Sequence, residues 1–116
     1  LNRSAAEACG RRAELRAAWW LCLHGWRIRG ERLRVPAGEV DLVARRGRTL
    51  ASIEAKWRDH AADLDMAIGE FRLRCVAAAA EMLSARFTRP DDDIRIDVML
   101  LAPGRLPRHL VHVWQP

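Results

Sequence analysis

The period of the apolar residues changes twice along this chain, and that rules out most folds open to 116 residues. From Trp26 to Trp57 apolar and polar residues alternate in short runs, the pattern of strands. From about residue 61 to Phe87 the step lengthens to three and four, through Leu64, Ile68, Phe71, Cys75, Val76, Ala79 and Leu83, which predicts an amphipathic helix. Ile94 to Leu101 is then β-branched and apolar again, as a strand requires. A helical bundle and an all-β sandwich are both excluded by this order.

The ends of the elements carry their own signals. Ser4-Ala-Ala-Glu7 has the form of a capping box, so a helix is predicted to start there and to run past Trp19, Trp20 and Leu23 to Gly25. Strands are predicted at Trp26–Arg34, Glu39–Ala44 and Thr49–Trp57, with a turn at Pro36-Ala-Gly38 and a hairpin tip at Arg45–Arg48. The long helix is expected to break near Gly69, and a polar loop from Thr88 to Asp93 follows it. A turn around Pro103-Gly104 and Pro107 leads to a last short strand, Leu110–Trp114. The order α-β-β-β-α-β-β predicts an α/β fold: one domain, residues 1–116, with a mixed central sheet flanked by helices.

Half of the residues are apolar, enough to fill a core. The longest uncharged apolar stretch, Ala17–Trp26, is far short of the roughly 20 residues that cross a bilayer. With no basic, cleavable leader at its start and three cysteines (Cys9, Cys22, Cys75) outside any CxxC spacing, the chain is expected to be cytoplasmic, with no membrane partner and no disulfide framework. Lysine plus arginine number 20 against 15 acids, a net charge of +5 that favours polyanionic partners, nucleic acid above all. All but one of those 20 cations are arginine. The exception is Lys56, and lysine offers a compact point charge with an adjustable pKa where arginine offers a fixed planar fork.

The second and third strands place acids around that lysine. A turn at Arg46-Gly47 makes facing residues sum to 93, so that Val40 meets Ile53 and Leu42 meets Ala51 on one face. On the other face Glu39 lies opposite Glu54, Asp41 opposite Ser52, and Lys56 follows two residues after Glu54. Asp41 is then the diagonal neighbour of Glu54, roughly 7–8 Å away, close enough for two carboxylates to converge on one cation. Mg²⁺ or Mn²⁺ takes oxygen ligands and keeps several waters, so two or three carboxylates suffice, and Lys56 would stand beside the bound ion. A solvated face of cross-strand charge pairs is the alternative reading of the same residues. The arginines at the hairpin tip (Arg45, Arg46 and Arg48) are candidates for phosphate contact, as are Arg27 and Arg29.

The Gly38-Glu-Val-Asp-Leu-Val43 run followed by Ile53-Glu-Ala-Lys56 resembles the YraN-type family of the PD-(D/E)XK restriction-endonuclease-like superfamily. Gly10-Arg11 with Glu14 and Ala17, and Arg95-Ile-Asp-Val98, extend the resemblance from about residue 9 to residue 113. The resemblance implies a restriction-endonuclease-like αβββαβ core and a metal-dependent nuclease site. It assigns Asp41 and Glu54 as metal ligands, Lys56 as the catalytic lysine and Glu14 as an additional acid of the kind found in Holliday-junction resolvases. Glu39 matches the family's Gly-Glu step and is placed at the metal or its waters. Arg72 stands where the family has Lys or Gln near the start of the long helix, Trp57 where it has Thr, and Asp59–Asp63 replaces a longer loop. The expected activity is Mg²⁺- or Mn²⁺-dependent hydrolysis of DNA rather than RNA phosphodiesters, on branched or otherwise structured substrates. Two alternatives stay open: a nucleic-acid-binding module without chemistry, and a subunit that docks on a partner. A homodimer is also left open.

Overall fold

In the computed structural model, which describes the backbone of residues 3–57 and 70–111 and the side chains of 11–57 and 77–111, seven elements follow the predicted order. They are α1 (Arg3–Leu23), β1 (Arg27–Val35), β2 (Gly38–Arg46), β3 (Thr49–Trp57), α2 (Glu70–Phe87), β4 (Asp93–Leu101) and β5 (Arg108–Leu110). The five strands form one sheet in sequence order, antiparallel throughout except for β3 and β4, which pair in parallel. A parallel pair needs a crossover between its strands, and α2 lies in that connection. The fold is the predicted α/β arrangement with a mixed sheet.

Each face of the sheet is covered by one helix. Ala13, Ala17 and Leu21 recur at four-residue steps on α1 and are buried with Leu42, Ala44, Ala51, Ile53, Met99 and Leu101. The two small residues let α1 sit close to the strands. Ala79 and Leu83 of α2 are buried against Val40, Val43 and Leu50 on the other side. Gly25 ends α1 at a φ of 86°, a conformation glycine adopts without a Cβ penalty. The predicted start of the long helix, from residue 61 to Gly69, and the end of the last predicted strand, from His112 to Trp114, lie outside the described residues. Among the described residues no helix is long and apolar enough to cross a membrane.

The hairpin register differs from the predicted one. Arg46 pairs with Thr49, Ala44 with Ala51 and Leu42 with Ile53, so facing residues sum to 95 and the turn is Gly47-Arg48. The reason is local: Gly47 has a φ of 62°, and hairpin turns of the II′ kind want glycine at the first central position. The expected turn put Gly47 second. The slip is by two places, so each side chain on the paired stretch keeps its face while its partner across the strands changes.

Candidate active site at the hairpin

The paired register of β2 and β3 ends at Leu42–Ile53, one place short of Asp41 and Glu54. Here the ladder between β2 and β3 gives way to a side chain: Asp41 Oδ2 accepts the Ala55 amide at 2.8 Å. Val40 packs on the α2 side and Leu42 on the α1 side, so the strict alternation of β2 breaks between them, at Asp41. The same level of β1 is distorted as well. Arg32 lies between the pairs Glu31–Leu42 and Leu33–Val40 and has a φ of 50°, a left-handed conformation that costs a non-glycine residue about 1–3 kcal/mol.

Glu54 is 1% exposed, the most deeply buried acid of the set. Lys56 Nζ stands 3.4 Å from Glu54 Oε1 with most of its side chain buried. Burial and the charge of Glu54 together push Asp41 up to about 7, and Glu14 adds to the push, whereas the hydrogen bond from Ala55 opposes it. Two carboxylates that cannot both ionise cheaply at neutral pH form a site that a cation would relieve. Among the described residues no group of three or more His, Cys, Asp and Glu side chains stands ready to enclose a metal. Asp41 and Glu54 nevertheless match what Mg²⁺ or Mn²⁺ requires, because such ions are bound through one or two carboxylates and keep waters and substrate phosphate oxygens in their remaining positions.

The two further acids are held by arginines of β1. Glu14, next to the buried Ala13 on α1, bonds Arg32 Nε at 2.5 Å and remains near enough to Asp41 to raise its pKa. Glu39 bonds Arg34 Nε at 2.9 Å and pairs with Arg34 across β1 and β2, so it is turned toward β1 instead of facing Glu54 as predicted. Asp41, Glu54 and Lys56 therefore come together, Glu14 flanks them, and Glu39 does not join them.

The arginine cluster divides. Arg45 is withdrawn from the surface: its guanidinium grips both oxygens of Asp92 at 2.7 and 2.8 Å and the Phe87 carbonyl at 2.9 Å, fixing the end of α2 to the hairpin. The expectation that Arg45 meets phosphate is corrected on this ground, since a bidentate buried pair occupies the whole fork. Arg46 lies over the Trp26 ring at 4.6 Å, and Arg48 is exposed at the tip. The side chain of Arg72 and the loop Asp59–Asp63 lie outside the described residues.

A second polar cluster, on β4 and β5, was hidden from sequence reasoning. Buried Asp97 accepts from Arg95 at 2.8 Å and lies 2.7 Å from His109 Nε2, with Trp26 packed edge-on against His109. In the sequence only the resemblance draws attention to Arg95 and Asp97. The cluster faces α1 and belongs to the packing between the sheet and Trp26.

Residues 13–101 match the family described as Uncharacterised protein family UPF0102. The chain belongs to this family. It is 80% identical over 116 residues, the whole of both chains, to the UPF0102 protein of Sphingopyxis alaskensis. It is 59% identical over 113 residues to that of Rhizorhabdus wittichii, covering 97% of this chain and 96% of the relative. With the UPF0102 protein of Erythrobacter litoralis it shares 51% identity over 116 residues, again the whole of both. The resemblance to a YraN-type family is upheld at the level of the family, and Glu14, Glu39, Asp41, Glu54 and Lys56 all fall inside the matched span of UPF0102.

Proposed function

We propose that this UPF0102 chain is a metal-dependent nuclease of the PD-(D/E)XK type that hydrolyses phosphodiesters of DNA, with branched or otherwise structured DNA as substrate. The observation that carries the reading is the convergence of Asp41 on Glu54 with Lys56 Nζ 3.4 Å from Glu54. Asp41 and Glu54 are the residues that would hold Mg²⁺ or Mn²⁺, with Glu14 close enough to add to the shift of Asp41. When bound, such an ion supplies Lewis-acid stabilisation of the charge that develops on phosphate. The chain's own part is positional. The Ala55 amide fixes the Asp41 carboxylate from one side, and the Glu54 carboxylate holds the Lys56 ammonium at the mouth of the pair. From there the ammonium can donate to a phosphate oxygen or orient the attacking water, and it can give up a proton, which guanidinium cannot. Water adds to phosphorus, one ester oxygen departs, and that oxygen is protonated as an alcohol.

The reading is tested with purified protein and Mg²⁺ or Mn²⁺ on linear, single-stranded, flapped and four-way DNA. Wild type is expected to cleave at least one of these. Lys56→Arg and Lys56→Ala are both expected to lose on the order of 10²–10⁴-fold in rate, the range of a positioned acid–base group, while still binding DNA. Undiminished cleavage by Lys56→Arg would reduce Lys56 to a generic positive charge. Absence of cleavage by wild type on every substrate with both metals would overturn the nuclease reading in favour of a binding module.

A further inference from the structure

Close to this hairpin, a cavity of about 290 Å³ opens between α1 and the segment that joins β4 to β5. Arg16 and Trp19 line it from α1, Leu101 from the end of β4, and Arg105, Leu106 and Pro107 from the connecting segment. Trp19 is 66% exposed and Leu106 79%. Both charges at the rim are positive, and neither Arg16 nor Arg105 has an ion pair with a described residue. The Arg16 guanidinium lies 5.1 Å over the ring of Trp57. Trp57 follows Lys56 directly and pairs with Leu101 of the cavity wall. The cavity thus lies at the same end of β3 and β4 as the candidate catalytic lysine.

We infer that this cavity receives one unpaired nucleotide of the bound strand, with the base stacked on Trp19 and the adjoining phosphates met by Arg16 and Arg105. The inference rests on the nuclease reading for its place at the same end of β3 and β4 as the scissile phosphate. The chemistry of the pocket favours this occupant over others. An exposed indole offers a flat face on which any base stacks, and two guanidinium groups of one sign, without an ion pair among the described residues, call for an anion rather than an apolar segment. A second copy of the chain meeting the same face would bring arginine against arginine. An acidic protein segment would match the charge but leave the indole without a flat partner. The volume suits a single base and excludes a duplex, so the pocket selects for nucleotides out of the stack, as junctions, flaps and single strands supply.

The test is binding, read apart from cleavage. Fluorescence anisotropy of a labelled single-stranded oligonucleotide and of a duplex of the same length is measured in Ca²⁺, for wild type, Trp19→Ala, Trp19→Phe and Arg105→Ala. Trp19→Ala should weaken single-strand binding by on the order of 10-fold or more, and duplex binding by much less. Trp19→Phe should restore most of the loss, and Arg105→Ala should lower the salt slope by about one. Trp19 is exposed, so these variants should fold as wild type does. Equal single-strand affinity for wild type and Trp19→Ala would overturn the inference. So would equal losses on single strand and duplex, or a Trp19→Ala variant whose only change is a loss of self-association by light scattering. Should Trp19-dependent single-strand binding persist in a protein that cleaves nothing with either metal, the pocket stands and the nuclease reading falls.

Discussion

Asp41→Asn should make the metal-free protein more stable, and by an amount that depends on pH. In the folded chain burial and the Glu54 charge raise Asp41 from its ordinary 3.8 to about 7. A carboxyl raised in this way contributes stability that is fully present below pH 3.8 and is lost as pH rises through 7, because the folded state holds the proton that the unfolded chain has released. With about 1.4 kcal/mol for each pKa unit, the full loss is on the order of 4 kcal/mol. Between pH 5 and pH 8 it is about 2–3 kcal/mol. Asparagine has the shape of the protonated acid, keeps an oxygen to accept the Ala55 amide, and has nothing to titrate. Urea unfolding followed by tryptophan fluorescence, in EDTA at pH 5 and pH 8, measures the difference. The gap in favour of Asp41→Asn should widen by about 2–3 kcal/mol from the lower pH to the higher. Wild type and variant that lose stability in parallel over this window would refute the reasoning, since Asp41 and Glu54 would then share no enforced proximity.

The opposite sign is expected at Asp92, which the Arg45 hydrogen bonds, helped by the Arg89 amide, hold down at about 2. Its contribution is present above pH 3.8 and is lost as pH falls toward 2, so Asp92→Asn should be the less stable protein at pH 6 by thermal unfolding, with the gap closing in strong acid. DNA affinity should fall with salt with a slope in log–log form of roughly 0.9 for each phosphate contact on duplex, and a flat salt titration would remove nucleic acid as the partner.

How much of this was legible beforehand depends on the kind of information each feature uses. The change of period from two to three and four, and back, is written into single side chains, so the order of elements could be read directly, whereas the side of the sheet on which Val40 packs could not. The alternation of β2 breaks at Asp41, but Glu54 and Lys56 share a face as expected because parity along a strand survives an even slip in register. The partner across the strands does not survive it. The preference of Gly47 for the first central place of the turn reset the pairs from Arg46–Thr49 to Leu42–Ile53, and Glu39 is held by Arg34 of β1 instead of facing Glu54. Tertiary pairings carried no local mark at all. Nothing near Arg45 in the chain announces Asp92, which lies 47 residues on, and nothing near Asp97 announces His109. A run of arginines at a turn reads as a phosphate grip until the fold shows which of them is already engaged.

Whether Asp41 and Glu54 form a divalent-cation site is tested most directly by uptake of Mn²⁺. Free Mn²⁺ is followed by electron paramagnetic resonance as the ion is titrated into wild type, Asp41→Asn and Glu39→Gln. Wild type should remove one ion per chain from solution in a saturable way, Glu39→Gln should do nearly the same, and Asp41→Asn should lose most of the uptake. Mn²⁺ binding that is unchanged by Asp41→Asn would contradict the account, and the acids of the hairpin would then be a set of charge pairs with no ion between them.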